Sequence, residues 1–229
     1  SRNEEIMEEL EMAKRVQESL IPDKNHLPKR KEISFGSKYL SMQKIGGDLY
    51  DVIKLDENKY GIFIADVSGH GVPAALITSM AKAYFNSYSH TEKTTAEICE
   101  KVNKQLVELI GDLTYYITAY YSIIDLKERS FEFTNAGHHP AIAYKSKTNE
   151  IELLDTKGII LGAFDISDNY ETKKTKINNG DKILFITDGI IETKNKNEEV
   201  YGKTRLINFM KENNKLKPEI FVDKLLNEV

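Results

Sequence analysis

Tyr60-Gly-Ile-Phe-Ile-Ala65 runs directly into Asp66-Val-Ser-Gly-His-Gly71-Val-Pro-Ala-Ala75, and this junction decides how the chain is read. The first six residues have the β-branched and aromatic content of a buried strand. Pro73 then marks a helix start, because the first helical turn does not need the N–H that proline lacks. Asp66 stands where the strand emerges, beside glycines that let backbone come close. The arrangement returns downstream, where Ile183-Leu-Phe-Ile-Thr187 ends in Asp188-Gly189, and Ile45-Gly-Gly-Asp48-Leu-Tyr-Asp51 adds carboxylates upstream. A carboxylate straight after a buried strand is costly without a cation or several donors. Oxygen-rich strand ends suit hard divalent cations, and two such ions about 4 Å apart can activate a water and clamp a phosphoryl group. The residues point to metal-dependent phosphoryl chemistry, with Asp48, Asp66 and Asp188 as candidate ligands.

Asp66 could cap the helix that follows, although Ser68 lies nearer to its start. Asp51, three residues beyond Asp48, either joins the site or braces the loop. Gly69-His-Gly71-Val-Pro-Ala74 fits the dinucleotide fingerprint G-x-G-x-x-A. Its context does not fit, since a second helix follows where a parallel strand ending in Asp or Glu is required. His70, between two glycines, could serve as an acid, orient substrate or be structural. His138 and His139 in Asn135-Ala-Gly-His-His-Pro140 could start a zinc site, but no third His or Cys ligand is close in sequence; a structured turn is the better reading.

A chain of 229 residues, 40% hydrophobic and 30% charged, suits a globular α/β protein rather than a disordered one. No run of about 18 apolar residues is present, so no helix is expected to span a membrane. Cys99 is the single cysteine, which rules out an internal disulfide and fits a cytoplasmic setting. A net charge of −4, with no basic cluster interleaved with aromatics, argues against a nucleic-acid partner.

Ile6, Leu10, Ala13, Gln17 and Leu20 recur at seam-like spacing before Pro22, predicting an N-terminal amphipathic helix. It either packs on its own domain or serves as a dimer or signalling helix. Strands are predicted over residues 33–40, 49–55, 59–67, 114–124, 130–134, 142–145, 151–154 and 182–187, with 172–177 as an edge strand. Helices are predicted over 73–88, 95–110, 203–213 and 218–228. Strands, a helix pair, more strands and closing helices indicate an α+β sandwich rather than a βαβ array.

Gln17-Glu-Ser-Leu-Ile-Pro22, Gly46-Gly-Asp-Leu-Tyr-Asp51, Asp66-Val-Ser-Gly-His-Gly-Val-Pro-Ala-Ala75, Asn135-Ala-Gly-His138, Leu161-Gly162 and Thr187-Asp-Gly-Ile-Ile-Glu192 together resemble the PPM family of metal-dependent serine/threonine phosphatases, in its bacterial SpoIIE/RsbU-type branch. The resemblance covers most of the chain, with the motifs in the family's order. It implies two packed antiparallel β-sheets flanked by helices, with two Mn²⁺ or Mg²⁺ ions at one end. By the same resemblance Asp66 would bridge both ions, with the Val67 carbonyl assisting at one, Asp188 at the other, and Asp48 acting through water. It implies hydrolysis of phosphoserine or phosphothreonine on a STAS-domain regulatory protein, an upstream sensor joined through the opening helix (residues 1–22), and a phosphatase domain over 23–229. A homodimer through that helix is a further expectation. The family pattern continues into a strand with an Asp-Asp-x-Thr-like motif that is not contained in these residues, so this ligand set is expected to be one carboxylate short. The start at Ser1, without an initiator Met, is read as the start of a fragment. A catalytically silent phosphoprotein-binding module is the alternative.

Overall fold

The computed structural model describes residues 2–23, 25–40 and 46–229. Among these, β1 (Asp48–Lys54), β2 (Lys59–Val67), β3 (Ile117–Asp125), β4 (Ser130–Ala136) and β7 (Lys173–Lys176) lie side by side in one antiparallel sheet. A second antiparallel sheet has β5 (Ala141–Lys145) at its centre, between β6 (Glu150–Leu154) and β8 (Lys182–Leu184). Helices α2 (Val72–Ser89) and α3 (Thr95–Ile110) cover the first sheet, and α5 (Gly202–Glu212) and α6 (Pro218–Glu228) cover the second. The α+β sandwich expected from the element order is the observed architecture.

Strand alternation sorts the side chains into three buried layers. On β1 and β2, Leu49, Ile53, Phe63, Ala65 and Val67 pack against α2 and α3. Their alternates Val52, Tyr60, Ile62 and Ile64 face the layer between the sheets, together with Phe131 and Phe133 of β4 and opposite Ala143 of β5. Phe63 stacks on Phe85 with centroids 4.5 Å apart, and Phe85 on Tyr121 at 5.6 Å. The Tyr121 hydroxyl is satisfied by Ser89 Oγ at 2.6 Å. Asp66 has the parity of Ile62 and Ile64, so its carboxylate belongs to the layer between the sheets, at the end where β2 emerges.

Three features differ from the sequence reading. Residues 33–40 form no strand. Ile33 packs into the inter-sheet layer, and Gly36 lies so close to α6 that a Cβ would come 2.3 Å from the Pro218 carbonyl carbon. The segment is therefore held by packing against the inter-sheet layer and α6 rather than by pairing in a sheet. A short helix not foreseen in the sequence, α4 (Asp188–Glu192), begins at Asp188, and β8 ends three residues before Thr187. The β3 strand starts at Ile117 because Tyr116 is held in a loop, its carbonyl accepting from Ser68 N at 2.9 Å.

Helix α1 (Arg2–Leu20) packs through part of its expected seam. Gln17 is buried and Ala13 and Leu20 are half-buried, whereas Ile6 is exposed, as are Met12 and Val16 on the outward side. The side chain of Leu10 lies outside the described residues. The end of α1 is tied to the body at several points. Lys82 Nζ of α2 donates to the Leu20 carbonyl, and Tyr50 Oη donates to the Pro22 carbonyl at 2.8 Å. Gln17 Nε2 donates to the Gly46 carbonyl while Gly46 N donates back to Gln17 Oε1 at 3.2 Å.

Candidate metal centre

Register brings the carboxylates together. Asp48 of β1 stands opposite Asp66 of β2, and Asp66 opposite Thr118 of β3, so the three side chains form a row on one face. Like charges directly opposite each other repel, and the carboxylates show it. Asp66 has its pKa pushed up to about 7, first by burial, then by the charges of Asp48 and Asp188, and by a hydrogen bond with Asp48. Asp48 is raised mainly by burial, with the Asp188 charge adding to this and hydrogen bonds from Thr187 and Asp66 opposing it. Thr187 Oγ1 donates to Asp48 Oδ2 at 3.1 Å, which docks the segment after β8 against β1. Asp188 is thereby delivered to the same place at the first turn of α4.

Gly47 closes the floor. Its carbonyl accepts from Val67 N at 3.1 Å, and a Cβ on Gly47 would lie 2.4 Å from the Val67 carbonyl oxygen and 3.2 Å from Asp66 Oδ1. Any side chain there must displace the backbone that carries Asp66 and Val67. Gly47→Ala is expected to weaken Mn²⁺ binding by about tenfold or more, read by calorimetric titration; unchanged affinity would show that this contact does not shape the centre.

The donor set is all oxygen, negatively charged and uncompensated: among the described residues no lysine or arginine offsets the charge at Asp48 or Asp66. A hard divalent cation is the group such a set fits. Among the described residues no group of three or more His, Cys, Asp or Glu is arranged to hold a metal ion; the set consists of the Asp48–Asp66 pair with the Asp188 charge beside it. One side of the carboxylate row is open to a cleft lined by His70, Gly189 and Thr193, which leaves access for a ligand from solution.

The other candidates fall outside the row. Asp51 has the opposite parity to Asp48 and turns toward α2, where it pairs with Lys82 Nζ at 2.9 Å; it braces the strand. Ser68 does not cap α2, since its Oγ accepts from Tyr116 N at 2.8 Å and the N-cap position is Gly71, which offers no side-chain cap. His138 is buried in the expected turn. Both ring nitrogens are engaged, Nδ1 with Thr118 Oγ1 at 2.9 Å and Nε2 with the Ile186 carbonyl at 3.0 Å, so neither is free for zinc. Burial pushes its pKa down to about 4. The sequence reading did not single out Thr118 or the hydroxyl of Thr187. For Thr187 the available signal was a donor adjacent to a candidate ligand; for Thr118 only strand register reveals the relation.

Residues 56–229 match the model of the family described as Stage II sporulation protein E (SpoIIE). The phosphoserine phosphatase RsbU of Bacillus subtilis is 32% identical over 196 residues, spanning 85% of this chain and 56% of that protein. The phosphoserine phosphatase RsbP of the same organism is 27% identical, spanning 80% and 45% respectively. The chain thus spans about half the length of the curated relatives it matches. Among solved structures, the SiaA-PP2C domain of Pseudomonas aeruginosa superposes with a TM-score of 0.78 at 20% identity, covering 99% of this chain and 92% of that one. The fold is therefore that of PP2C-type domains, and the chain belongs to the SpoIIE family, within the SpoIIE/RsbU-type branch of the PPM phosphatases.

Proposed function

We propose that this chain is the catalytic part of a metal-dependent protein serine/threonine phosphatase acting on a phosphorylated STAS-domain regulatory protein. The observation that carries the reading is the Asp48–Asp66 pair. Two carboxylates are forced together by strand register and pushed toward protonation by burial and by the Asp188 charge, in a family whose relatives RsbU and RsbP are named phosphoserine phosphatases.

When bound, two Mn²⁺ or Mg²⁺ ions would neutralise phosphoryl charge and activate a water for in-line attack at phosphorus. Asp48, Asp66, Asp188 and the Val67 carbonyl are the groups that would hold those ions. Thr187, by donating to Asp48, holds that carboxylate turned toward the row and keeps its lone pairs oriented. The open cleft at His70, Gly189 and Thr193 admits a phosphorylated side chain presented by a folded partner. A reducing cytoplasm is the setting that suits the single, buried Cys99. Among the described residues no helix is long and apolar enough to cross a membrane.

Release of inorganic phosphate from a phosphorylated STAS-domain protein, with Mn²⁺ and with chelator, tests this directly. The expected result is turnover that requires the metal. Release that continues undiminished under chelation contradicts the mechanism, and tight binding without release favours the silent binding module.

Residues 1–22 are assigned as a regulatory helix joining this domain to an upstream sensor, with residues 23–229 as the phosphatase domain. The support is the two-way Gln17–Gly46 contact, which ends two residues before Asp48. Movement of α1 would bias the metal loop by a coupling of about 1–3 kcal/mol. Leu20→Lys is expected to change turnover or self-association, whereas Glu8→Lys on the exposed face is not. Sedimentation and turnover on the same samples decide: if both variants match the parent, α1 only packs.

A further inference from the structure

His138 is built into the centre without touching the carboxylates. Its turn is closed by its own asparagine. Asn135 Oδ1 accepts from His138 N at 2.7 Å, and Asn135 Nδ2 donates to the His138 carbonyl at 2.8 Å and to Asp155 Oδ1 at 2.7 Å. Gly137 takes φ +73° to complete the turn, and a Cβ there would come 2.7 Å from Ile160 Cγ2. The imidazole is thereby aimed inward, with 8% of the residue exposed.

The two ring contacts fix the proton. A carbonyl can only accept, so Nε2 carries the hydrogen and donates to Ile186 O. In a neutral ring Nδ1 then accepts from the Thr118 hydroxyl. Desolvation of the buried ring favours that neutral form.

What these contacts join gives them meaning. Thr118 is the cross-strand partner of Asp66. Ile186 lies two residues before Asp188, and Thr187 between them returns a hydrogen bond to Asp48. A closed path therefore runs from Asp48 to Asp66, across the ladder to Thr118, through His138 to Ile186, and back by Thr187 to Asp48. His138 is the link in that path between the sheet carrying Asp66 and the segment carrying Asp188. We propose that His138 is a positioning residue that sets the separation between Asp66 and Asp188, and through it the affinity of the centre for divalent cations. The inference rests on the metal-dependent reading of the site. It concerns a residue that is no ligand itself, since both nitrogens are already taken.

Mn²⁺ alone is the probe, titrated calorimetrically into the full chain, with metal-free thermal denaturation run alongside. His138→Phe keeps an aromatic ring but loses both hydrogen bonds. Thr118→Val removes one hydroxyl at nearly constant shape. His138→Gln places an amide N–H close to the position of Nε2 and can still reach Ile186 O. Groups that only support a ligand typically change metal affinity by roughly 10–100-fold when lost. That loss is expected for His138→Phe and Thr118→Val, and equally for His138→Gln, which keeps the Ile186 side of the link but not the Thr118 side. The double variant His138→Phe/Thr118→Val should bind no worse than His138→Phe, because both changes cut the same link.

Parent-like Mn²⁺ affinity in His138→Phe, whatever its melting temperature, overturns the proposal and leaves His138 as packing. Should His138→Phe fail to fold, Thr118→Val decides alone, and parent-like affinity there overturns it equally. A folded parent that does not bind Mn²⁺ refutes the metal reading itself, an outcome distinct from a parent that binds and variants that match it.

Discussion

Asp66→Asn is expected to abolish Mn²⁺-dependent turnover while leaving the metal-free protein at least as stable as the parent. The substitution keeps the shape of the side chain and removes its charge. Loss of activity should exceed the roughly 10–100-fold typical of groups that merely support a ligand. Stability should move the other way. The Asp66 pKa is raised from 3.8 to about 7, chiefly by burial and then by Asp48 and Asp188. A carboxylate whose folded pKa lies above its unfolded one subtracts stability once the unfolded chain can ionise. Below 3.8 both states are protonated and there is no penalty; the penalty grows as pH rises through the window from 3.8 to about 7, and is then constant. The metal-free parent should lose melting temperature across that window, and Asp66→Asn should lose less. For a domain of this size each kcal/mol relieved is worth about 2–4 °C. Added Mn²⁺ should raise the melting temperature of the parent and not that of the variant. An Asp66→Asn protein with parent-like Mn²⁺ stabilisation would contradict the assignment of Asp66.

The second large effect is on stability and lies on the other face of β1. Asp51 is buried and pairs with Lys82 Nζ at 2.9 Å, and the same ammonium reaches the Leu20 carbonyl. Lys82→Met strands a carboxylate among Leu49, Ile53 and the helices. Removing one partner of a buried pair costs about 3–5 kcal/mol, because the remaining charge is left unpaired. The lysine keeps 21% of its side chain exposed, so about 3 kcal/mol is expected, a fall of roughly 6–12 °C in melting temperature. The double variant Asp51→Leu/Lys82→Met should recover most of that loss, since no charge is left behind. Denaturant unfolding of the parent, both singles and the double measures the coupling. A single-variant cost below about 1 kcal/mol would mark the pair as equivalent to a surface salt bridge.

These two aspartates show what was legible in the sequence. Asp48 and Asp51 sit three apart in one motif, and spacing alone left the role of Asp51 open. Strand parity separates them: Asp48 shares a face with Val52 and the inter-sheet layer, Asp51 with Leu49 and Ile53. The buried strand ending in Asp66, the helix opening at Pro73 and the helix over 95–110 were all readable, because their signals are local and strongly periodic. Residues 33–40 misled because apolar and aromatic content records that a segment is packed and not what it packs on; here α6 lies against Gly36 and the inter-sheet layer takes Ile33. The short α4 was hidden because five residues carry too little periodicity to register. Thr118 was beyond reach for a different reason. Its importance comes from standing opposite Asp66 in the ladder, and register between strands about fifty residues apart is a tertiary property.

The central claim is that Asp48, Asp66 and Asp188 hold divalent cations in common, and diffraction at the manganese absorption edge from crystals grown in Mn²⁺ tests it most directly. The account predicts anomalous density at coordination distance from the Asp66 carboxylate, shared toward the Val67 carbonyl on one side and Asp188 on the other. Crystals whose Mn²⁺ supports turnover in solution but shows no density beside Asp66 would contradict it.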